Sequence, residues 1–127
     1  MTEVLVLKEI IGKTPIIIRG MEKESDLIQM VFSDGTHCSF YHLQECCETV
    51  EVEDVIGDYQ DLIGSPLLVA EEVMEDGEEY SSSWTFYKFA TIKGSVDVRW
   101  LGWSNGFYSE DVNFYYDPKR QSFTEMF

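Results

Sequence analysis

At 127 residues the chain is expected to form one domain, and a domain near that size buries roughly two-thirds of its unfolded surface. Its formal net charge is −15, which repels nucleic acid and anionic membrane at long range and favours basic partners. Eight Phe, seven Tyr and three Trp argue against an acidic disordered chain, and no apolar run approaches the ~18 residues of a membrane helix.

The N-terminus, Met1-Thr2-Glu3-Val4, lacks the basic region and cleavage site of a signal peptide. Three cysteines, two of them adjacent, do not make a disulfide framework, so the expected compartment is a reducing cytoplasm. The charge is segregated along the chain. All nine Lys and Arg residues lie outside the stretch from Glu24 to Tyr87, which holds sixteen of the 24 acids. The middle thus carries −16 and the two ends together +1. Solubility alone accounts for such an excess as readily as function does.

In chain order, Thr2 to Ile11 reads as a strand apolar on both faces, and Ile16-Ile17-Ile18 as a second after the turn Gly12-Lys13-Thr14-Pro15. Asp34-Gly35 between two β-rich runs predicts a hairpin of 26–33 with 36–43. A two-residue loop there pairs Val31 with Cys38 and Phe32 with His37. It leaves Cys38 beside Leu27, Val31 and Phe40, as a buried thiol. Val50 and Val52 alternate with Glu51 and Glu53, a strand over 48–56 with one face in water. One short helix is expected near 58–63, capped by Asp58 and stopped by Gly64 and Ser65-Pro66. Residues 67–74 form a further strand, followed by an exposed loop, Glu75-Asp76-Gly77-Glu78-Glu79.

The last third reads as a three-strand meander over 84–93, 95–101 and 107–116. Of two registers at Ser104-Asn105-Gly106, a three-residue loop with Gly106 left-handed keeps apolar opposite apolar. That register sets Val98 against Val112, Val96 against Phe114 and Arg99 against Asp111. Tyr87, Phe89, Val96, Val98, Trp100, Val112 and Phe114 form its core face, and Lys88, Ala90, Asp97, Arg99, Asp111 and Asn113 the other. The tail 117–127 frays or docks. The fold class is therefore all-β, a mainly antiparallel sandwich or partly closed barrel, in a single domain spanning 1–127.

No established template for chemistry is present. His37, Cys38, His42, Cys46 and Cys47 crowd potential metal ligands into eleven residues. Alternation separates His37 from Cys38, however, and adjacent thiolates rarely bind one ion. Glu45 and Glu48 work against an activated Cys46 or Cys47 with His42 as base. The scattered acids Asp54, Asp58 and Asp61 form no calcium loop, and phosphate-binding glycine motifs and a Gly-x-Ser-x-Gly elbow are missing. Neither metal nor cofactor is expected. Trp84, Lys88, Lys93, Arg99, Trp103 and Tyr108 combine cations with π-surfaces able to stack a base and pair phosphates. Trp103, near a turn with little core to fill, is the most suggestive of them. Against this stands the reading of Tyr87 and Trp100 as core, with Arg99 spent on Asp111.

Three stretches taken together, YHLQECCE (41–48), GDYQDLIGSPLLVAEE (57–72) and WTFYKFATIKGSVDVRWLGWSNGFYS (84–109), resemble a family of small acidic proteins of bacteriophages and prophages, catalogued as a domain of unknown function. The resemblance covers roughly residues 26–115. It implies a phage accessory protein in the bacterial cytoplasm, and it assigns no catalytic residue.

Two function classes follow. One is a non-enzymatic counter-defence protein that sequesters a nucleotide-derived host immune signal, its anion met by Lys88, Lys93 or Arg99, with homo-oligomerisation building a pocket between chains. The other is an acidic nucleic-acid mimic that blocks a host nuclease or restriction enzyme through Glu75, Asp76, Glu78 and Glu79. A minor virion or regulatory role is a third. The first is preferred, because solubility explains charge more cheaply than it explains a surface Trp beside Arg and Lys.

Overall fold

The computed structural model describes residues 7–119, and these build two four-stranded antiparallel sheets packed face to face as a sandwich, not a closed barrel. In the first sheet, β1 (Pro15–Arg19), β2 (Leu27–Phe32), β3 (His37–Tyr41) and β8 (Asn113–Asp117) lie in that order. The second has the order β4 (Thr49–Ile56), β7 (Gly94–Trp103), β6 (Ser82–Thr91), β5 (Val69–Asp76).

Period-two alternation builds the core from both inner faces. Ile28, Met30, Cys38 and Phe40 come from the first sheet, and Val50, Val52, Tyr87, Phe89, Val96, Val98 and Trp100 from the second. Phe40 joins the layers, its ring 4.9 Å from Tyr87, 5.5 Å from Phe89 and 4.9 Å from Phe114. Such edge-on and tilted pairs contribute about 0.5–1.5 kcal/mol each beyond the area they bury.

The expected inner face of β6 and β7 is the observed one, and Val112 and Phe114 join the same core. Their strand partners are different. β8 does not continue a meander beside β7. It crosses to the first sheet, where Phe114 pairs with Phe40 and Tyr116 with Cys38. β4 takes the place beside β7, so Val98 faces Val55 instead of Val112, and Arg99 faces Asp54 instead of Asp111. The physical reason is ladder length. β4 offers eight residues to the ten of β7, whereas residues 104–112 contain no strand, and Gly106 (φ +96°) turns the chain away.

Three smaller expectations are also corrected. Residues 7–8 are helical and 9–12 form a turn, not strand, with Ile10 N–H donating to Leu7 O at 3.2 Å. The hairpin at Asp34-Gly35 has a three-residue loop, because Gly35 (φ +88°) forms a bulge in which its N–H donates to Phe32 O and Phe32 N–H donates to Thr36 O. That one-residue shift sets Cys38 opposite Met30, and Val31 opposite His37; Cys38 is fully buried all the same. The helical turn or short helix expected near 58–63 is present as a 3-10 turn, Tyr59–Leu62, with Asp58 accepting from Gln60 N–H as expected. Glu75 and Asp76 end β5 opposite Trp84 and Ser83, so the exposed turn is only 77–81. Of the expected N-terminal strand, 2–6 lies outside the described residues, as does 120–127 of the expected tail.

Candidate functional site

The two ten-residue strands β6 and β7 are the centre of the second sheet, and their outward residues meet those of β4 and β5 in rows. One row runs Glu51, Leu101, Trp84, Glu75; the next Asp54, Arg99, Phe86, Val73; a third Ile56, Asp97, Lys88, Glu71. Trp103 stands between Thr49 and Ser82 at the end of the sheet. On this face the central strands carry Trp84, Phe86, Leu101 and Trp103 together with Arg99, Lys88 and Asp97, and the flanking strands carry Glu51, Glu71 and Glu75 beside Ile56 and Val73.

Arg99 lies at the middle of the face and is already engaged. Its Nε and Nη2 donate to Glu53 Oε1 at 2.8 and 2.6 Å, Asp54 lies 3.7 Å away, and its guanidinium carbon sits 5.3 Å from the Trp84 ring centroid. The β4 bulge at Val52/Asp54 is what brings Glu53 and Asp54 together on this one cation. Trp84 is also stacked on Phe86, with centroids 6.1 Å apart.

Beside Trp84 the surface opens into a cavity of about 500 Å³ lined by Glu78, Glu79, Ser82, Trp84, Leu101 and Trp103. Its rim is the 77–81 turn, which is held from several sides. Gly77 N–H donates to Ser82 O at 2.8 Å, Ser82 Oγ to Glu79 O at 2.7 Å, and Ser104 N–H to Ser81 O at 2.9 Å. A Cβ at Gly77 would lie 2.0 Å from Ser82 Oγ, so the turn requires glycine there. Behind the rim, the Glu110 carboxylate accepts from both Ser83 Oγ and Ser104 Oγ at 2.7 Å, fixing the 104–112 crossing to the end of the sheet.

The structure therefore brings together residues that the sequence assigned to rival readings. Trp84 and Trp103 were candidates for an anion, Glu78 and Glu79 for a basic partner, and all four line one cavity. Lys88 is on the same face but sits across from Glu71 and Asp97. Lys93 is elsewhere, in the β6–β7 turn, where its ammonium donates to Ile63 O. Tyr108 is half-buried on the 104–112 crossing, and Glu75 and Asp76 are exposed on edge strand β5. Sequence reasoning missed Leu101, Phe86 and Ser82, although each has the strand parity of Trp84 or Trp103 and period two would have found them. It also missed Glu110, which joins Ser104 on its own crossing to Ser83 on β6, 27 residues away.

A second polar cluster ties the loop after β3 to that crossing. Side chains of His42 and Glu48 are 3% and 0% exposed, with Nε2 to Oε2 at 2.8 Å, and His42 Nδ1 reaches Asp111 O at 2.7 Å. Glu48 also accepts from Glu45 N–H, Cys46 N–H and the Gln44 amide. Burial by itself would raise its carboxyl, but the His42 bond and the backbone N–H groups outweigh that and hold it down at about 2. Cys46 and Cys47 are both exposed in this loop, with their sulfurs side by side. His42 has both ring nitrogens committed. Burial pushes the Cys38 thiol up. Among the described residues no group of three or more His, Cys, Asp or Glu is placed to hold a metal ion, and no helix is long and apolar enough to cross a membrane.

No curated protein and no solved structure matches the chain. A family model matches residues 8–114, and the chain belongs to that family, described as a domain of unknown function (DUF7448).

Proposed function

We propose that the protein acts by binding, not catalysis, and that the outer face of the β4-β7-β6-β5 sheet docks a basic protein partner. The observation that carries this reading is the composition of that face. An aromatic and aliphatic cluster (Trp84, Phe86, Leu101, Trp103) lies beside Arg99, whose charge Glu53 and Asp54 match, and is bordered by Glu51, Glu71, Glu75, Glu78 and Glu79. Apolar centres with polar rims characterise protein interfaces, and a net acidic rim steers a basic partner towards them. Together with the resemblance to acidic phage proteins, this points to a phage-encoded inhibitor in the bacterial cytoplasm. Its carboxylates would occupy the phosphate-binding groove of a host nuclease or restriction enzyme.

The direct test is titration of the isotope-labelled protein with a decalysine peptide, followed by amide shifts. Shifts confined to the outer face of β4, β7, β6 and β5, weakened by salt and lost in Glu51→Lys/Glu75→Lys, support the reading. Shifts spread equally over β1, β2, β3 and β8 refute it.

One observation favours a second reading, sequestration of a nucleotide-derived signal: a guanidinium stacked on a Trp beside a cavity. It is the weaker of the two, because Arg99 is matched by Glu53 and Asp54, and Glu78 and Glu79 would repel a phosphate. Calorimetry with adenine-containing cyclic and ADP-ribose-type nucleotides separates the two. Heat that saturates would establish sequestration, and a flat trace would remove it.

A further inference from the structure

We infer that the cavity between Trp84 and Trp103 is a cation subsite that takes one alkylammonium group of lysine size. The inference rests on the basic-partner reading for its biological source, a lysine side chain of the docked protein, but its chemistry stands on the cavity alone.

Three features of the cavity select a cation. Its walls include two indoles, the aromatic side chain with the strongest attraction for a positive charge over its face. Two carboxylates, Glu78 and Glu79, stand at the rim and none of the lining residues is basic, so an anion meets only repulsion and a neutral apolar group gains nothing from half the lining. The cation already over Trp84, the Arg99 guanidinium at 5.3 Å, is matched by Glu53 and Asp54, so it adds little repulsion against a second positive charge in the cavity.

The site is also built in advance. Ser82 Oγ on Glu79 O, Ser104 N–H on Ser81 O and the close approach at Gly77 fix the 77–81 turn that carries both carboxylates. Binding therefore costs little loop ordering. Trp103, at 45% exposure, has one side open to an incoming group. A volume of about 500 Å³ is more than one ammonium head fills, so there is room for methyl groups on the nitrogen. Methylation weakens hydration of the cation while leaving its charge, which should tighten binding between indoles.

The experiment uses the full chain and four lysine amides in place of a partner: unmodified, trimethylated, acetylated, and a neutral isostere with a tert-butyl head. Tryptophan fluorescence and indole N–H shifts report binding. The expected order is trimethylated above unmodified, with the acetylated and tert-butyl compounds at least tenfold weaker. Trp103→Ala and Glu78→Gln/Glu79→Gln should each weaken the trimethylated compound several-fold, with circular dichroism unchanged. Trp103→Phe should recover part of the loss, which a merely structural role would not produce. Equal binding of the tert-butyl compound, or no movement of the indole signals, overturns the subsite.

Decalysine separates this from the wider reading. If it docks on the sheet with unchanged affinity in the Trp103→Ala and Glu78→Gln/Glu79→Gln variants, the face stands and the subsite falls. If the lysine amides bind in the cavity while decalysine does not dock, the subsite stands as a site for free organic cations and the partner reading falls.

Discussion

Trp100 and Trp103 lie three residues apart in the same strand, and they serve opposite ends. Trp100 points into the sandwich and is 0% exposed, packed in the core with Tyr87, Val98 and Val52. Trp103 points outward beside a carboxylate-rimmed cavity. Strand alternation makes the difference, since an odd spacing puts the two indoles on opposite faces of one sheet. The acids of the middle stretch divide in a similar way. Glu48 is buried and surrounded by donors, whereas Glu51 and Glu53 face outward and Glu78 and Glu79 line the cavity. One composition thus supplies both a scaffold and a surface.

Truncating each tryptophan in turn should produce the largest difference between the two faces. Trp100→Ala should cost about 3–5 kcal/mol in urea unfolding, as deletion of a buried aromatic does. Trp103→Ala should stay within about 0.5 kcal/mol of wild type, the range for surface positions. If Trp103→Ala proves as destabilising as Trp100→Ala, the outer face is part of the scaffold and not a free surface.

Next in size is the carboxylate pair. Glu48→Ala leaves His42 Nε2 and the N–H groups of Glu45 and Cys46 without their acceptor, and should lower the thermal midpoint by several degrees, whereas Glu51→Ala should leave it nearly unchanged. The pH dependence follows from a carboxyl held at about 2 against an ordinary 4.5. Its folded value is depressed, so its contribution is complete above the unfolded value and is lost as pH falls from about 4.5 towards 2. Asp34, held at about 2 from 3.8 against burial by Lys13 and Thr36, fades in the same window. Thermal melts across that range should therefore fall less steeply in Glu48→Gln than in wild type, but not become flat.

Smaller still is Arg99→Ala. Its ion pairs with Glu53 and Asp54 are part-exposed, so the loss should be at most about 1 kcal/mol and should shrink with added salt. Smallest in stability is thiol labelling, which nonetheless separates inside from outside. After reduction, Cys46 and Cys47 should react with a maleimide at once, and Cys38 only after unfolding, as mass spectrometry would count. Rapid labelling of Cys38 in the folded protein would contradict its place opposite Met30.

Much of the fold was legible before the structure, and the gaps have a common cause. Alternation in Tyr87, Phe89, Val96, Val98 and Trp100 marked the core face, and Asp58 and Gly64 marked the ends of the Tyr59–Leu62 turn. The two hairpin loops were harder. At Asp34-Gly35 the residue types fit loops of either length, and the bulge at Gly35 shifted the register by one. At Ser104-Asn105-Gly106 the local turn chemistry was right about Gly106 and wrong about the connection. The candidate site was named in pieces. Trp84, Trp103, Glu78 and Glu79 were all singled out, yet nothing in their spacing joined them.

Strand parity, turn glycines and the cap at Asp58 depend on neighbours within a few residues, and the separation of acids from bases is written along the chain. Which strand lies beside which depends on neither. β4 rather than β8 pairs with β7, and β8 crosses to complete the core against Phe40. That choice depends on the summed ladder bonds and packing of whole strands far apart in sequence, to which local pattern contributes no term. It is also the choice that sets Glu53 and Asp54 on Arg99 beside Trp84, so that a matched cation lies next to the aromatic cluster of the outer face.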